Sequence, residues 1–314
     1  MTLVRRQSRA HFPKGDRTAS VVAATFGAAV VLIAVLIAWH LIAHSSESRH
    51  KFGWAFLGGQ QWDPVAGEFG AAPFLYGTLV TSAIALLIAI PVGIGVAIFL
   101  AELAPRRLSS ATGMLLELLA AVPSVIYGLV GISVLVPVMR SSIEPALRTV
   151  FPGVPLFSGV AYGVGYLTAG LVLAIMVIPF IISVGREVLL AVPREQREAS
   201  LALGSTRWES VWSVVLPYAR GGLYGAIFLA LGRALGETMA VTMVIGNRPE
   251  IAASLFAPGH SMAAVIANEF TEATGDLYLS ALIEIGLVLF AVTMVVNAAA
   301  RFLIYATTQR AAKA

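Results

Sequence analysis

The sequence predicts an all-α integral membrane protein with six transmembrane helices. Three observations carry that prediction: an apolar composition, six long stretches almost free of charge, and basic residues gathered in alternate connections. Of the 314 residues, 58% are hydrophobic and 12% charged. Soluble domains are about half apolar and a quarter charged. The net charge of +4 is spread between apolar blocks and forms no basic patch, so it does not point to nucleic acid. There is no cysteine, which excludes disulfides, thiolate metal sites and cysteine nucleophiles.

A bilayer core takes about 20 apolar residues per helix. Six stretches meet that length, at about 19–43, 74–101, 118–139, 165–185, 221–246 and 277–300. The first is too long for a signal-peptide core and lacks a convincing cleavage site, so it reads as an uncleaved anchor. Arg5, Arg6, Arg9, Lys14 and Arg17 precede it. Threading from a cytoplasmic N-terminus puts fifteen of the 21 basic residues inside, five outside and Arg233 in the membrane. That bias predicts both termini inside a plasma (inner) membrane. The expected organisation is a basic tail over 1–18, the anchor over 19–43, an extracytoplasmic segment over 44–73, a membrane domain over 74–301 and a tail over 302–314.

Within that frame several residues have local readings. Pro91, Pro123 and Pro179 fall inside predicted spans, where each removes a backbone donor and can kink its helix. Gly93, Gly95 and Ala97 read as close helix packing, and Asn297 as a bond to a neighbouring helix. The five histidines, His11, His40, His44, His50 and His260, have no metal-ligand spacing within a span, so no metal is expected.

The connection between the fourth and fifth spans, residues 190–217, reads as helix, turn, helix. Pro193 suits a first helical position, with Glu195 close behind at the positive dipole end. Gly204 suits a left-handed cap, and Thr206 with Glu209 forms a capping box for the next helix. Glu195, Arg197 and Glu198 lie beside the small residues Ala199, Ser200 and Ala202, a surface that another protein can approach closely. An amphipathic helix resting on the bilayer accounts for the same pattern equally well.

The order Glu198-Ala199-Ser200, three residues, Gly204, nine residues, Val214, one residue, Leu216-Pro217 resembles the EAA loop of ATP-binding-cassette (ABC) importer permeases. It departs from that pattern in Ser200 for alanine and Val214 for isoleucine. The resemblance implies the type I importer permease fold. It also implies that Glu198, Ala199, Ser200, Gly204, Leu216 and Pro217 belong to a loop that couples the spans to a cytoplasmic ATPase. The chain has no G-x-x-x-x-G-K-[ST] loop, so it needs no cofactor of its own and ATP belongs to the partner subunit.

The fifth stretch contains two charges, and an arginine near mid-membrane costs about 2.5–3.5 kcal/mol on insertion scales. As part of one continuous helix, Arg233 and Glu237 stand at i and i+4 on the same face. They either cancel as an internal ion pair or line a pathway, where a guanidinium fork matches an oxyanion. Glu284 in the sixth span lines a pathway or reaches outer water.

The segments GRALGETMAV and, from Val122 to Gly131, VPSVIYGLVG resemble the PstC-type phosphate-specific permeases over about 74–301. Met239-Ala240 after Thr238 distinguishes them from the PstA-type permeases, in which Ala-Pro follows. This resemblance implies a phosphate pathway through Arg233 and Glu237, to which Thr238 and Glu284 are added as candidates. It further implies a PstA-type second permease, a PstB-type ATPase dimer and a PstS-type extracytoplasmic phosphate-binding protein as partners, with membrane lipid around the spans. An oxyanion permease for sulfate or molybdate, a secondary transporter with a carboxylate relay and a membrane-embedded enzyme are the other readings. The last requires a catalytic constellation that the sequence does not display.

Overall fold

A computed structural model of the chain describes residues 14–311; most of the predicted N-terminal tail, 1–13, and the last residues, 312–314, lie outside it. Six helices in the described residues have the length and apolarity to cross a membrane: Thr18–His44, Ala72–Leu103, Ser124–Val150, Tyr166–Leu190, Arg207–Leu235 and Asp276–Phe302. They are spans 1 to 6 below. Connections after spans 2 and 4 form one end of the molecule, the loop end; the other connections form the far end.

Spans 2 and 4 make the centre, and span 4 is the most enclosed of the six. Their contact is made close by small residues. A Cβ on Gly93 would stand 2.6 Å from Ile181 Cγ2, and one on Gly170 2.5 Å from Ile84 Cγ2. The pair therefore interlocks twice, glycine against isoleucine in each direction, which lets dispersion contacts substitute for a hydrophobic drive that lipid does not supply. Ala97 is fully buried in the same seam, whereas Gly95, expected to pack, has open space at its Cβ position. Asn297 is likewise exposed on span 6 and makes no hydrogen bond among the described residues. Span 1 lies along span 6, where Leu41 reaches Gly286, and its long apolar surface is otherwise uncovered.

Two spans begin and end elsewhere than their hydropathy suggests. Residues 106–120 form a separate helix, Arg106–Ala120, and span 3 starts only after Pro123, which sits at its N-cap with φ −57° and ψ 137°. Pro123 thus begins a helix and does not kink one. Span 3 then continues through Arg140, Glu144 and Arg148, charges that end an apolar window without ending a helix. Span 5 begins at Arg207, fourteen residues before the apolar run at Gly221, because the second helix of the loop and the span are one continuous element. Arg220 lies inside it.

A recurring device tolerates proline in these helices. Wide π turns at Gly131–Leu135, Met139–Ile143 and Val211–Val215 each precede by two residues a proline in the helix that continues: Pro137, Pro145 and Pro217. Proline cannot donate to the preceding turn and its ring crowds that turn's carbonyl. The widened turn makes room where an α turn would clash.

At the far end, the expected all-helical architecture acquires a small β-hairpin, Trp62–Asp63 paired antiparallel with Glu68–Phe69, Trp62 opposite Phe69. Trp62 is wedged edge-on against Phe69 and Phe74 and donates Nε1–H to Glu269 at 2.8 Å, where the Tyr278 hydroxyl also donates at 2.6 Å. The loop from Gly246 to Ser261 folds back against the start of span 4: Gly165 N–H donates to the Val244 carbonyl and Leu167 N–H to that of Leu255. Gly77 of span 2 meets the His260 carbonyl so closely that a Cβ would fall 1.9 Å from it, and any side chain there would push the loop away.

His260 is only 2% exposed. Its Nδ1 accepts the Ser261 amide at 3.1 Å and its ring packs on Phe74. Burial pushes its pKa down from the usual 6.5 to about 4. Below about pH 6.5 the unfolded chain takes up a proton that the folded chain refuses. Stability contributed by the neutral ring is therefore whole above that pH and is lost as the pH falls toward 4. Thermal unfolding of the detergent-solubilised chain is expected to lose about 2–3 kcal/mol of stability between pH 7 and 4.5 through this residue. A His260→Asn variant should show a correspondingly flatter pH profile.

Candidate translocation and coupling site

The loop end is built around a nine-residue helix, Arg194–Ala202, which contains Glu198, Ala199 and Ser200. Pro193 occupies its N-cap with φ −56° and ψ 140°, one position before the first helical residue where the sequence suggested it. Gly204, at φ +91°, closes the other end as expected: its N–H bonds to the Leu201 carbonyl at 3.0 Å and the Ser205 N–H to that of Ser200 at 3.3 Å. This is the paired pattern of a left-handed glycine cap. The Thr206–Glu209 capping box is formed in both directions. Glu198 and Ala199 are exposed, Ser200 is buried, and Leu203 stands 90% exposed at the tip.

Hydropathy did not reveal how this helix is held. Arg197 reaches back to the membrane helices and forms an ion pair with Glu102 at 2.7 Å. Its remaining donors satisfy the Leu189 and Val192 carbonyls at 2.7 and 2.5 Å. One guanidinium thus joins the loop helix, the end of span 2 and the end of span 4. Side-chain exposure is 19% for Arg197 and 11% for Glu102, so water screens the pair only in part. The glutamate lies 95 residues away, beyond any local pattern. Beside the clamp opens a cavity of about 670 Å³ lined by Glu102, Ser109, Arg186, Arg194, Arg197 and Glu198.

Arg233 lies in the last turn of a helix and Glu237 in the break that follows it. Span 5 ends at Leu235, Gly236, Glu237 and Thr238 intervene, and a short helix, Met239–Val244, follows. The two residues are therefore not at i and i+4 of one helix, and they form no ion pair. Glu237 Oε1 accepts the Ala240 amide at 3.3 Å, capping the short helix. Thr238 lies between, its hydroxyl donating to the Gly236 carbonyl at 3.3 Å and its own carbonyl accepting from Thr242 Oγ1 at 2.7 Å.

Arg233 sits in the last turn of span 5, where the helix dipole favours a cation. Its guanidinium lies 5.8 Å from the centre of the Phe180 ring of span 4 and within electrostatic reach of the Tyr127 hydroxyl of span 3. It is half-buried, and among the described residues its forked donors engage no acceptor. Interrupted helices at membrane depth occur where backbone is buried in protein or lines a watery cavity. Glu284 is elsewhere. It lines an apolar cavity with Arg49 and Trp54, and the structure does not bring it together with Arg233, Glu237 and Thr238.

Six spans, a capped coupling-type loop and an interrupted charged helix define an importer permease of the ABC class. The chain belongs to the binding-protein-dependent transport system inner membrane component family, whose pattern matches residues 89–312, and it is accordingly a multi-pass membrane transport subunit. It is 49% identical to "Phosphate transport system permease protein PstC" of Mesorhizobium japonicum, over 91% of this chain and 90% of that one. It is 50% identical to the protein of the same description in Haemophilus influenzae, over 88% of each chain. Among solved structures it resembles an inward-facing MetNI methionine ABC transporter, with 20% identity and a TM-score of 0.51 over 76% of this chain and 94% of that one. A bacterial alginate ABC transporter in complex with its periplasmic protein gives 15% identity and a TM-score of 0.58 over 91% and 94%. The type I importer permease fold expected from the EAA-like loop is thus the fold found.

Proposed function

We propose that the chain is the PstC-type permease subunit of an ATP-driven importer of inorganic phosphate. The observation that supports this most is Arg233: a half-buried guanidinium at a helix break, with forked donors that no side chain or carbonyl of the described residues takes. A tetrahedral oxyanion matches that fork, and charge-assisted hydrogen bonds to it are about twice as strong as neutral ones. Glu237, one turn on and not paired with the arginine, adds a negative charge that keeps the anion from binding too tightly to leave. Thr238 completes the break as the residue whose backbone sets the direction of the next helix.

Energy comes from outside the chain. The exposed Glu198, Ala199 and Leu203 surface docks in a PstB-type ATPase dimer, and Gly204, Leu216 and Pro217 shape the loop that carries its closure into span 5. A PstA-type permease shares the pathway and a PstS-type protein delivers phosphate at the far end, with both termini of this chain on the ATPase side. Labelled phosphate uptake into vesicles holding the four components, with ATP inside the ATPase compartment and sulfate as competitor, tests the reading. Uptake that needs ATP and resists sulfate supports it; equal inhibition by phosphate and sulfate would make the chain a general oxyanion permease.

The two anions differ in that phosphate near neutral pH carries protons that a carboxylate can accept. A Glu237→Gln variant is therefore expected to lose about tenfold of its preference for phosphate over sulfate, the equivalent of one charged hydrogen bond. Competition curves for the two anions in the same vesicles measure this, and an unchanged ratio contradicts the role.

A further inference from the structure

A second feature lies at the far end, between span 6 and the helix Ser46–Phe52 that follows span 1. A cavity of about 700 Å³ opens there. Its lower wall is a stripe on span 6 that includes Val288, Val292 and Val295, spaced to fall along one side of a helix. Two opposite charges, Arg49 and Glu284, also line it.

Those charges share the cavity without closing on each other, since no ion pair joins them within 4.0 Å. Glu284 is 6% exposed, and its Oε2 has no hydrogen-bond donor. The Ser48 hydroxyl stands beside the carboxylate without closing a hydrogen bond to it, and the Ser48 N–H bonds to Ser280 Oγ at 3.1 Å. Arg49 is oriented by bonds from Nε to Ser45 Oγ at 3.0 Å and from Nη2 to the Ile42 carbonyl. Its Nη1 meets no acceptor among the described residues. A carboxylate this buried and this unsatisfied is costly unless something supplies the missing donor.

We propose that this cavity binds a glycerophospholipid with a primary-amine headgroup. The ammonium donates to Glu284 Oε2, the phosphate accepts from Arg49 Nη1, and one acyl chain lies along the valine stripe. Opposite charges held apart fit a zwitterion better than they fit a single ion. From Val288 to Val296 the stripe runs about 12 Å at 1.5 Å per residue, long enough to cover the upper part of an acyl chain. Trp54, 89% exposed at the rim, is the residue type that settles at a membrane interface. Water finds polar partners only at the charged end of the cavity and none along the valine stripe below it. A quaternary-amine headgroup has the charge but no N–H to donate, and a phosphatidylglycerol headgroup has no cation.

The test is native mass spectrometry of the purified full-length chain, equilibrated in detergent with equal amounts of dioleoyl phosphatidylethanolamine, phosphatidylcholine and phosphatidylglycerol. The ethanolamine lipid is expected to be retained about tenfold over each of the others, one charged hydrogen bond's worth of selectivity. Glu284→Gln should remove the preference over phosphatidylcholine. Val292→Trp, which fills the groove and leaves both charges in place, should reduce retention of all three. Equal retention of the three lipids by the unmodified chain overturns the proposal, as does a preference for phosphatidylglycerol or an ethanolamine preference that survives Glu284→Gln. The comparison on the unmodified chain decides the matter even if a variant fails to fold.

Discussion

An Arg233→Ala chain, inserted and assembled normally, is expected to import phosphate at least about 100-fold more slowly than the unmodified chain. The size follows from two charge-assisted hydrogen bonds of roughly 1.5–3 kcal/mol each, lost together. Arg233→Lys keeps the charge but presents a single point donor, so about a tenth of the uptake should remain. Stability should change little. Among the described residues the guanidinium has no ion-pair partner, and its neighbour is the Phe180 ring at 5.8 Å, a contact worth about 1 kcal/mol. Initial rates of labelled phosphate entry, normalised to permease in the vesicle, measure the effect. Near-normal uptake by a well-assembled alanine variant would reduce Arg233 to a packing residue.

The second large effect is expected at the clamp. Replacing Glu102 with alanine strands a largely buried guanidinium, and breaking a buried pair on one side commonly costs about 3–5 kcal/mol; the partial exposure of both side chains puts this case at the lower end. Arg197→Ala removes in addition the bonds to the Leu189 and Val192 carbonyls. Both variants should leave the partner ATPase able to hydrolyse ATP while uptake falls about tenfold or more, so the number of ATP molecules spent per phosphate rises. A structural defect alone would lower both activities together. The effects of the two changes should not add, because both remove the same interaction. An unchanged ratio of hydrolysis to uptake in either variant contradicts the clamp's role in coupling.

Much of this architecture is written in the chain. All six spans are present as apolar runs because lipid demands about twenty such residues and leaves no other economical solution. The loop helix was legible from its caps, since Gly204, Thr206 and Glu209 act on neighbours within a few residues. What escaped was either charge within a helix or contact across the sequence. Arg140, Glu144 and Arg148 extend span 3 beyond the point where hydropathy ends it. The break at Gly236 escaped because Ala234, Leu235 and Met239 keep the run apolar on both sides. The Glu102 partner of Arg197 and the position of Glu284 beside Ser48 depend on how distant segments pack, which no local period reports.

Span 5 joins the two halves of the candidate site in one piece. It runs for 29 residues from Arg207, directly after the capping residue Thr206, to Leu235, two residues beyond Arg233, a rod of about 43 Å at 1.5 Å per residue. A rod of that length behaves as a lever. A tilt of only about 5° about its loop end would swing the arginine sideways by roughly 3.4 Å, more than the usual length of a hydrogen bond. On the role proposed for Arg233, the guanidinium changes partners as the loop moves, and a small rotation at the loop end is enough to make or release its grip on an anion.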